Sequence, residues 1–98
     1  MKKQIQLSQK TIVINDLGMH ARPAAQIAKM AMTAVKEIWL SDGTTRVDAA
    51  SIIDILTLCA LKGSCIHIQA ESSEDAAVVE KIKAFFDDGF GEVTNESR

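Results

Sequence analysis

Cysteine is scarce in this sequence. Only Cys59 and Cys65 carry thiols, too few for a structural zinc site, which takes about four Cys or His ligands. Cys59 falls in a helical run and Cys65 in a strand run, so both are expected as buried free thiols in a reducing compartment. Net charge is equally thin. Lysine and arginine number 11 against 13 aspartates and glutamates, leaving −2, which argues against nucleic acid and against an acidic membrane surface as partners. No apolar run approaches the roughly 20 residues of a membrane span. The basic start Met1-Lys2-Lys3-Gln4 is not followed by an apolar signal core, so a cytoplasmic location is expected. Internal repeats, low-complexity tracts and linkers are also missing, and residues 1–98 read as one domain with a core over about 9–92 and flexible ends.

There is one proline, and it marks the most informative stretch, Gly18-Met19-His20-Ala21-Arg22-Pro23-Ala24. Pro23 has a fixed φ and no N–H, which suits the first turn of a helix and nowhere deeper. A helix-forming run follows it, and Gly18 before it can take the φ of a tight strand-to-helix turn. His20 is therefore expected at or beside the N-cap, where Ser, Thr, Asp or Asn is usual. A helix start offers unpaired N–H groups and a partial positive charge, and so holds anions, phosphate above all. Arg22 adds a guanidinium able to grip phosphate oxygens in pairs. A nucleophilic imidazole, an anion cradle and an arginine thus fall within a few residues.

Taken in order, Gln9-Lys10-Thr11-Ile12-Val13-Ile14 is β-branched and apolar, the first strand, and residues 1–8 read as a loose extension. Asn15-Asp16 breaks the strand. The first helix is expected over about 21–33, with Ala24, Ile27, Ala28 and Ala31 on one stripe and Met30 and Met32 packing at its end. Residues 35–40 and 45–49 read as a hairpin turned by Asp42-Gly43, with Trp39 a half-buried sheet residue. Ser51 caps a second helix, expected over 52–61. Apolar side chains surround it almost completely. So short a helix cannot be covered on all sides, so Ile55, Leu58 and Leu61 are assigned to the core and Ile52, Ile53 and Leu56 to a partly exposed patch. Cys65-Ile66-His67-Ile68-Gln69-Ala70 alternates as a fourth strand. Ser72-Ser73-Glu74-Asp75 opens a third helix whose buried stripe is Val79, Ile82 and Phe86; Phe90-Gly91-Glu92 folds back, and 93–98 is a polar tail. The order β-α-β-β-α-β-α predicts an α+β fold, four strands with three helices on one side and the other sheet face open to water.

Asn15-Asp16-Leu17-Gly18-Met19-His20-Ala21-Arg22-Pro23-Ala24-Ala25 resembles the active-site signature of HPr, the histidine phosphocarrier family of the bacterial phosphoenolpyruvate-dependent phosphotransferase system. Met19 stands where the family usually has Leu, a volume-conserving change. The resemblance covers about Gln9 to Glu92 and implies an open-faced β-sandwich with an antiparallel sheet. It implies phosphoryl carriage by a phosphohistidine intermediate, with the protein a carrier and not a self-standing catalyst. His20 would be the nucleophile, taking the group on Nδ1, and Arg22 the phosphate clamp. The backbone of Ala21 and Arg22 would form the cradle, with Pro23 shaping the turn. The implied partners are enzyme I and IIA domains, with HPr kinase or transcription regulators as further ones, and the protein acting as a monomer. Docking would use Ala21, Ala25, Ile52, Ile53 and Leu56. Ser51 matches the position that HPr kinase phosphorylates in many members, although Asp48-Ala49-Ala50-Ser51-Ile52-Ile53-Asp54 departs from the usual surroundings. No metal and no organic cofactor is implied. Leu17-Gly18-Met19-His20 and Phe85-Phe86-Asp87-Asp88-Gly89-Phe90 are also similar to NPr, the nitrogen-branch paralogue, and a regulatory docking module is the reading from another class.

Overall fold

The computed structural model describes residues 4–92. Strands β1 (Leu7–Ile12), β2 (Ile38–Ser41), β3 (Arg46–Asp48) and β4 (Cys65–Ala70) form one sheet in the order β1-β4-β2-β3, each neighbouring pair antiparallel. Helices α1 (Ala21–Ala31), α2 (Ile52–Thr57) and α3 (Ala76–Asp87) are interleaved with them in chain order. They pack on one face: α1 touches α2 and α3, and α3 lies along β1 and β4. The open-faced α+β sandwich is as expected.

Two periodicities build the core. Ile66, Ile68 and Ala70 alternate inward on β4, opposite Thr11, Gln9 and Leu7 of β1 and, for the latter two, Leu40 and Ile38 of β2. The helices supply stripes at helical spacing: Ala24, Ile27, Ala28 and Ala31 from α1, and Val79, Ile82 and Phe86 from α3, all buried. Thr11 ties the two layers by donating from its hydroxyl to Asp87 at 2.7 Å. The hydrogen bond from Lys83, then that from Thr11, holds the Asp87 carboxyl below its ordinary pKa.

Several expectations need correction. Pairing moves the first strand: the six residues of β4 are matched from Cys65↔Ile12 to Ala70↔Leu7, so Leu7 and Ser8 belong to the sheet and Val13 bonds only to the loop, through Gly63 and Ser64. The expected tail 93–98, like residues 1–3, lies outside the described residues. Trp39 is buried, 6% exposed, although it points away from the helices; the Arg46 guanidinium covers its ring at 4.2 Å. Helix α2 stops at Thr57, four residues early, because Cys59 turns into the left-handed region at φ +51. Leu61 is thereby thrown out to solvent, Leu58 is only half-buried, and both thiols are exposed and free. Met32, just past α1, is exposed and does not pack in the core.

Asp75 is more than an acid in a helix's first turn. It ends a one-turn 3-10 helix (Ser73–Asp75) ahead of α3 and is 2% exposed. Its carboxylate accepts the N–H groups of Val35 (2.8 Å) and Lys36 (2.9 Å), pinning the segment that leads into β2. Backbone donors satisfied by a buried carboxylate make strong bonds, and losing the acceptor orphans both. Asp75→Ala should lower the unfolding free energy by about 2–3 kcal/mol, measured by urea denaturation; an unshifted midpoint would show that these donors do not depend on it.

Candidate functional site

The site begins with the turn between β1 and α1. Gly18 has φ +69, and a Cβ there would lie 2.8 Å from the Ala60 carbonyl oxygen, so conformation and space both require glycine. The same oxygen accepts the Met19 N–H at 2.9 Å. The left-handed Cys59 that ends α2 therefore also brings Ala60 to the turn that launches α1.

His20 follows as the N-cap of α1, with extended backbone (φ −143, ψ −174) and no capping bond from its side chain. Its carbonyl accepts the Ala24 N–H at 3.0 Å. The N–H groups of Ala21 and Arg22 therefore face outward with no intrahelical acceptor, and Pro23 is buried with no N–H to place. Arg22 projects into solvent, its side chain 68% exposed.

One carboxylate joins these groups. Glu92 Oε2 lies 2.5 Å from His20 Nε2 and accepts from Arg22 Nη2 at 2.8 Å. Its other oxygen, Oε1, accepts from Asn15 Nδ2 at 2.7 Å. The Glu92 side chain is only 9% exposed. Burial, the largest influence, acts to raise its pKa. The hydrogen bonds from Asn15 and His20 and the charges of His20 and Arg22 together outweigh it, and the net shift is downward. An ionised carboxylate only accepts, so the ring proton sits on Nε2. Among the described residues nothing hydrogen-bonds Nδ1.

Glu92 reaches this position by a reversal after α3. Gly89, Phe90 and Gly91 all have positive φ (+62, +60 and +71). For Phe90 that conformation costs about 1–2 kcal/mol. Its ring offsets the strain by packing on Phe86 (centroids 5.0 Å apart) and Phe85 (5.2 Å).

The residues expected to dock a partner divide. Ala25, Ser51, Ile52 and Ile53 line one groove of about 610 Å³ between α1 and α2, with Ala28, Lys29, Met32 and Ala50. Ile53 is 75% exposed. Leu56 is half-buried against the core and Ala21 is exposed at the first turn of α1; neither lines the groove. Ser51 Oγ accepts the Asp54 N–H at 3.2 Å, the N-cap bond of α2.

Residues 7–88 match the family model of the PTS HPr component phosphorylation site. The chain belongs to the HPr family. It is 29% identical to the phosphocarrier protein HPr of Neisseria meningitidis over 88% of this chain and 97% of that protein. It is 32% identical to the phosphocarrier protein NPr of Escherichia coli over the same shares. The crystal structure of HPr-C-His from Thermoanaerobacter tengcongensis superposes with a TM-score of 0.82 at 26% identity, covering 90% of this chain and 99% of that one. These relatives make the chain an HPr-family phosphocarrier and account for the antiparallel open-faced sheet. Among the described residues, no group of side chains could hold a metal ion and no helix is long and apolar enough to cross a membrane.

Two residues of the site were not picked out from this HPr-family sequence. In the sequence Asn15 breaks a strand and opens the signature stretch with no role of its own, and Glu92 is only part of a fold-back. The available signal for Glu92 was an acid placed just after Gly89-Phe90-Gly91, a run able to reverse the chain. Because the folded-state pKa of Glu92 is depressed, its contribution to stability is full above the unfolded value, about 4.5, and is lost as pH falls through the folded value. Glu92→Gln should therefore flatten the acid limb of the stability curve below about pH 4.5. Thermal melts across pH 2–8 check this; parallel acid limbs in the two proteins would contradict it.

Proposed function

We propose that the chain accepts a phosphoryl group from phospho-enzyme I on Nδ1 of His20 and passes it to a histidine of an IIA domain. One observation carries this reading: an imidazole at the open N-terminus of a helix, its Nε2 held by a carboxylate and its Nδ1 without a hydrogen-bond partner among the described residues. The Nδ1 lone pair attacks the phosphorus of the donor phosphohistidine. The new N–P bond forms as the donor's breaks, and the donor ring leaves neutral with the bonding pair. The positive charge passes to the His20 ring, whose Nε2–H faces Glu92. The phosphoryl oxygens meet the N–H groups of Ala21 and Arg22 and the end of the helix dipole. Arg22 engages Glu92 through Nη2 alone, so further guanidinium donors remain for the phosphoryl group. Transfer of this kind is positioning and charge stabilisation.

The groove beside Ile52 and Ile53 is the docking surface in this reading. A carrier must leave again, so a small transient interface suits it. The protein acts as a cytoplasmic monomer. The Leu17-Gly18-Met19-His20 stretch favours a second reading, the same chemistry in the nitrogen branch.

Incubation with phosphoenolpyruvate and either a sugar-branch or a nitrogen-branch enzyme I tests both. The wild-type chain should gain an acid-labile phosphoryl group from one of them, His20→Ala should gain none, and Arg22→Ala should be slowed about 10²-fold. Transfer from neither enzyme would leave a docking module as the remaining function. Ser51 both caps α2 and lines the groove, and a phosphate there suits the helix start while adding about two negative charges to the docking surface. Ser51→Asp should melt within a degree or two of wild type yet bind enzyme I at least about tenfold more weakly; titration calorimetry showing equal affinity would remove the regulatory role.

A further inference from the structure

We propose that Asn15 is a positioning residue for transfer at His20: its buried amide orients the Glu92 carboxylate, and through it the imidazole. The inference rests on the phosphocarrier reading above. Asn15 is completely buried. Its Nδ2 has two hydrogens and two acceptors, the Gly18 carbonyl at 2.9 Å and Glu92 Oε1 at 2.7 Å. One amide thus braces the turn that precedes His20 and the carboxylate that holds it.

The rest of that amide is costly. Asn15 Oδ1 is buried with no hydrogen-bond partner among the described residues, and an unpaired buried acceptor is destabilising. An apolar side chain would avoid that cost, so packing alone does not account for asparagine here. An aspartate of the same shape would offer no donor and would set a second negative charge against Glu92. Asparagine is the side chain of this size that presents two N–H groups from one atom. With Oε1 pinned, Oε2 has one direction left, and in that direction it meets both Nε2 of His20 and Nη2 of Arg22. Without the pin, the carboxylate could rotate about its terminal torsion, where preferences are broad, and the ring would no longer be confined to presenting Nδ1.

The test reads the ring directly. Long-range ¹H–¹⁵N spectra of the His20 ring are recorded for wild type, Asn15→Ala, Glu92→Gln and the double variant, and phosphoryl uptake from phosphoenolpyruvate and enzyme I is timed for each. Asn15→Ala should move the Nε2 resonance in the direction that Glu92→Gln moves it, mix the two ring tautomers, and slow uptake about tenfold. The double variant should be no worse than Glu92→Gln, as expected for residues acting in series. Unchanged ring signals in Asn15→Ala, or losses that add in the double variant, would overturn the proposal. If Asn15→Ala does not fold, Asn15→Ser, which keeps one donor, takes its place: ring signals between those of wild type and Glu92→Gln support the proposal, and wild-type signals overturn it. Absence of uptake by wild type would sink the carrier reading, while the ring spectra, which need no donor, still judge the linkage from Asn15 to His20 by the same criteria.

Discussion

The geometry around His20 depends on one shared carboxylate. Glu92 enters from 72 residues further along the chain and meets the imidazole and the guanidinium with a single oxygen. No local rule of helix or turn would bring it there. It arrives because α3 packs along β1 and β4, because the Phe90 ring packs on those of Phe85 and Phe86, and because the last glycine lets the chain turn back. Packing free energy of α3 and the reversal after it is thus converted into the placement of a charge at the start of α1.

Helix α1 joins this chemistry to the groove. His20 stands at its N-terminus, and Ala25, Ala28, Lys29 and Met32 form one wall of the groove along its length. At 1.5 Å per residue, the span from His20 to Met32 is about 18 Å. A rigid helix holds position well over that distance, so the proposed docking surface and His20 keep a defined relative placement. Ala24 and Ala28 are small and buried, which lets the helix lie close to the layer beneath it.

Departures from ordinary local rules gather near the same place. Gly18 has no room for a Cβ beside Ala60, Cys59 and Phe90 occupy left-handed backbone, and Asn15 buries an oxygen with no hydrogen-bond partner among the described residues. Elsewhere Ser51 and Ser72 cap helices, Asp42 accepts two N–H groups within its hairpin, and Asp75 closes the approach to β2, while Gln69 Oε1 on β4 is a second buried oxygen without a partner among the described residues. Strain and unsatisfied polarity persist where surrounding structure compels them, and Gly18, Phe90 and Asn15 all belong to the segments that position His20 and Glu92.

Much of the molecule was legible before any coordinates. Pro23 after a glycine and before an alanine-rich run marked the start of α1, because proline tolerates only the first turn. Period-2 and period-3.6 patterns sorted Ile66, Ile68, Ile27 and Ile82 into the core, since burial selects one face of each element. The limits of β1, the early end of α2 and the exposure of Leu61 and both thiols were not legible. They follow from strand register and from a left-handed cysteine that serves a contact with Met19. The sequence alone determined the class of fold and the imidazole at a helix start, because local backbone chemistry and hydrophobic period decide those. Only the tertiary structure brought Glu92 to that imidazole and to Asn15, because a hydrogen bond spanning three-quarters of the chain is decided by how the layers close and leaves no trace in neighbouring residues.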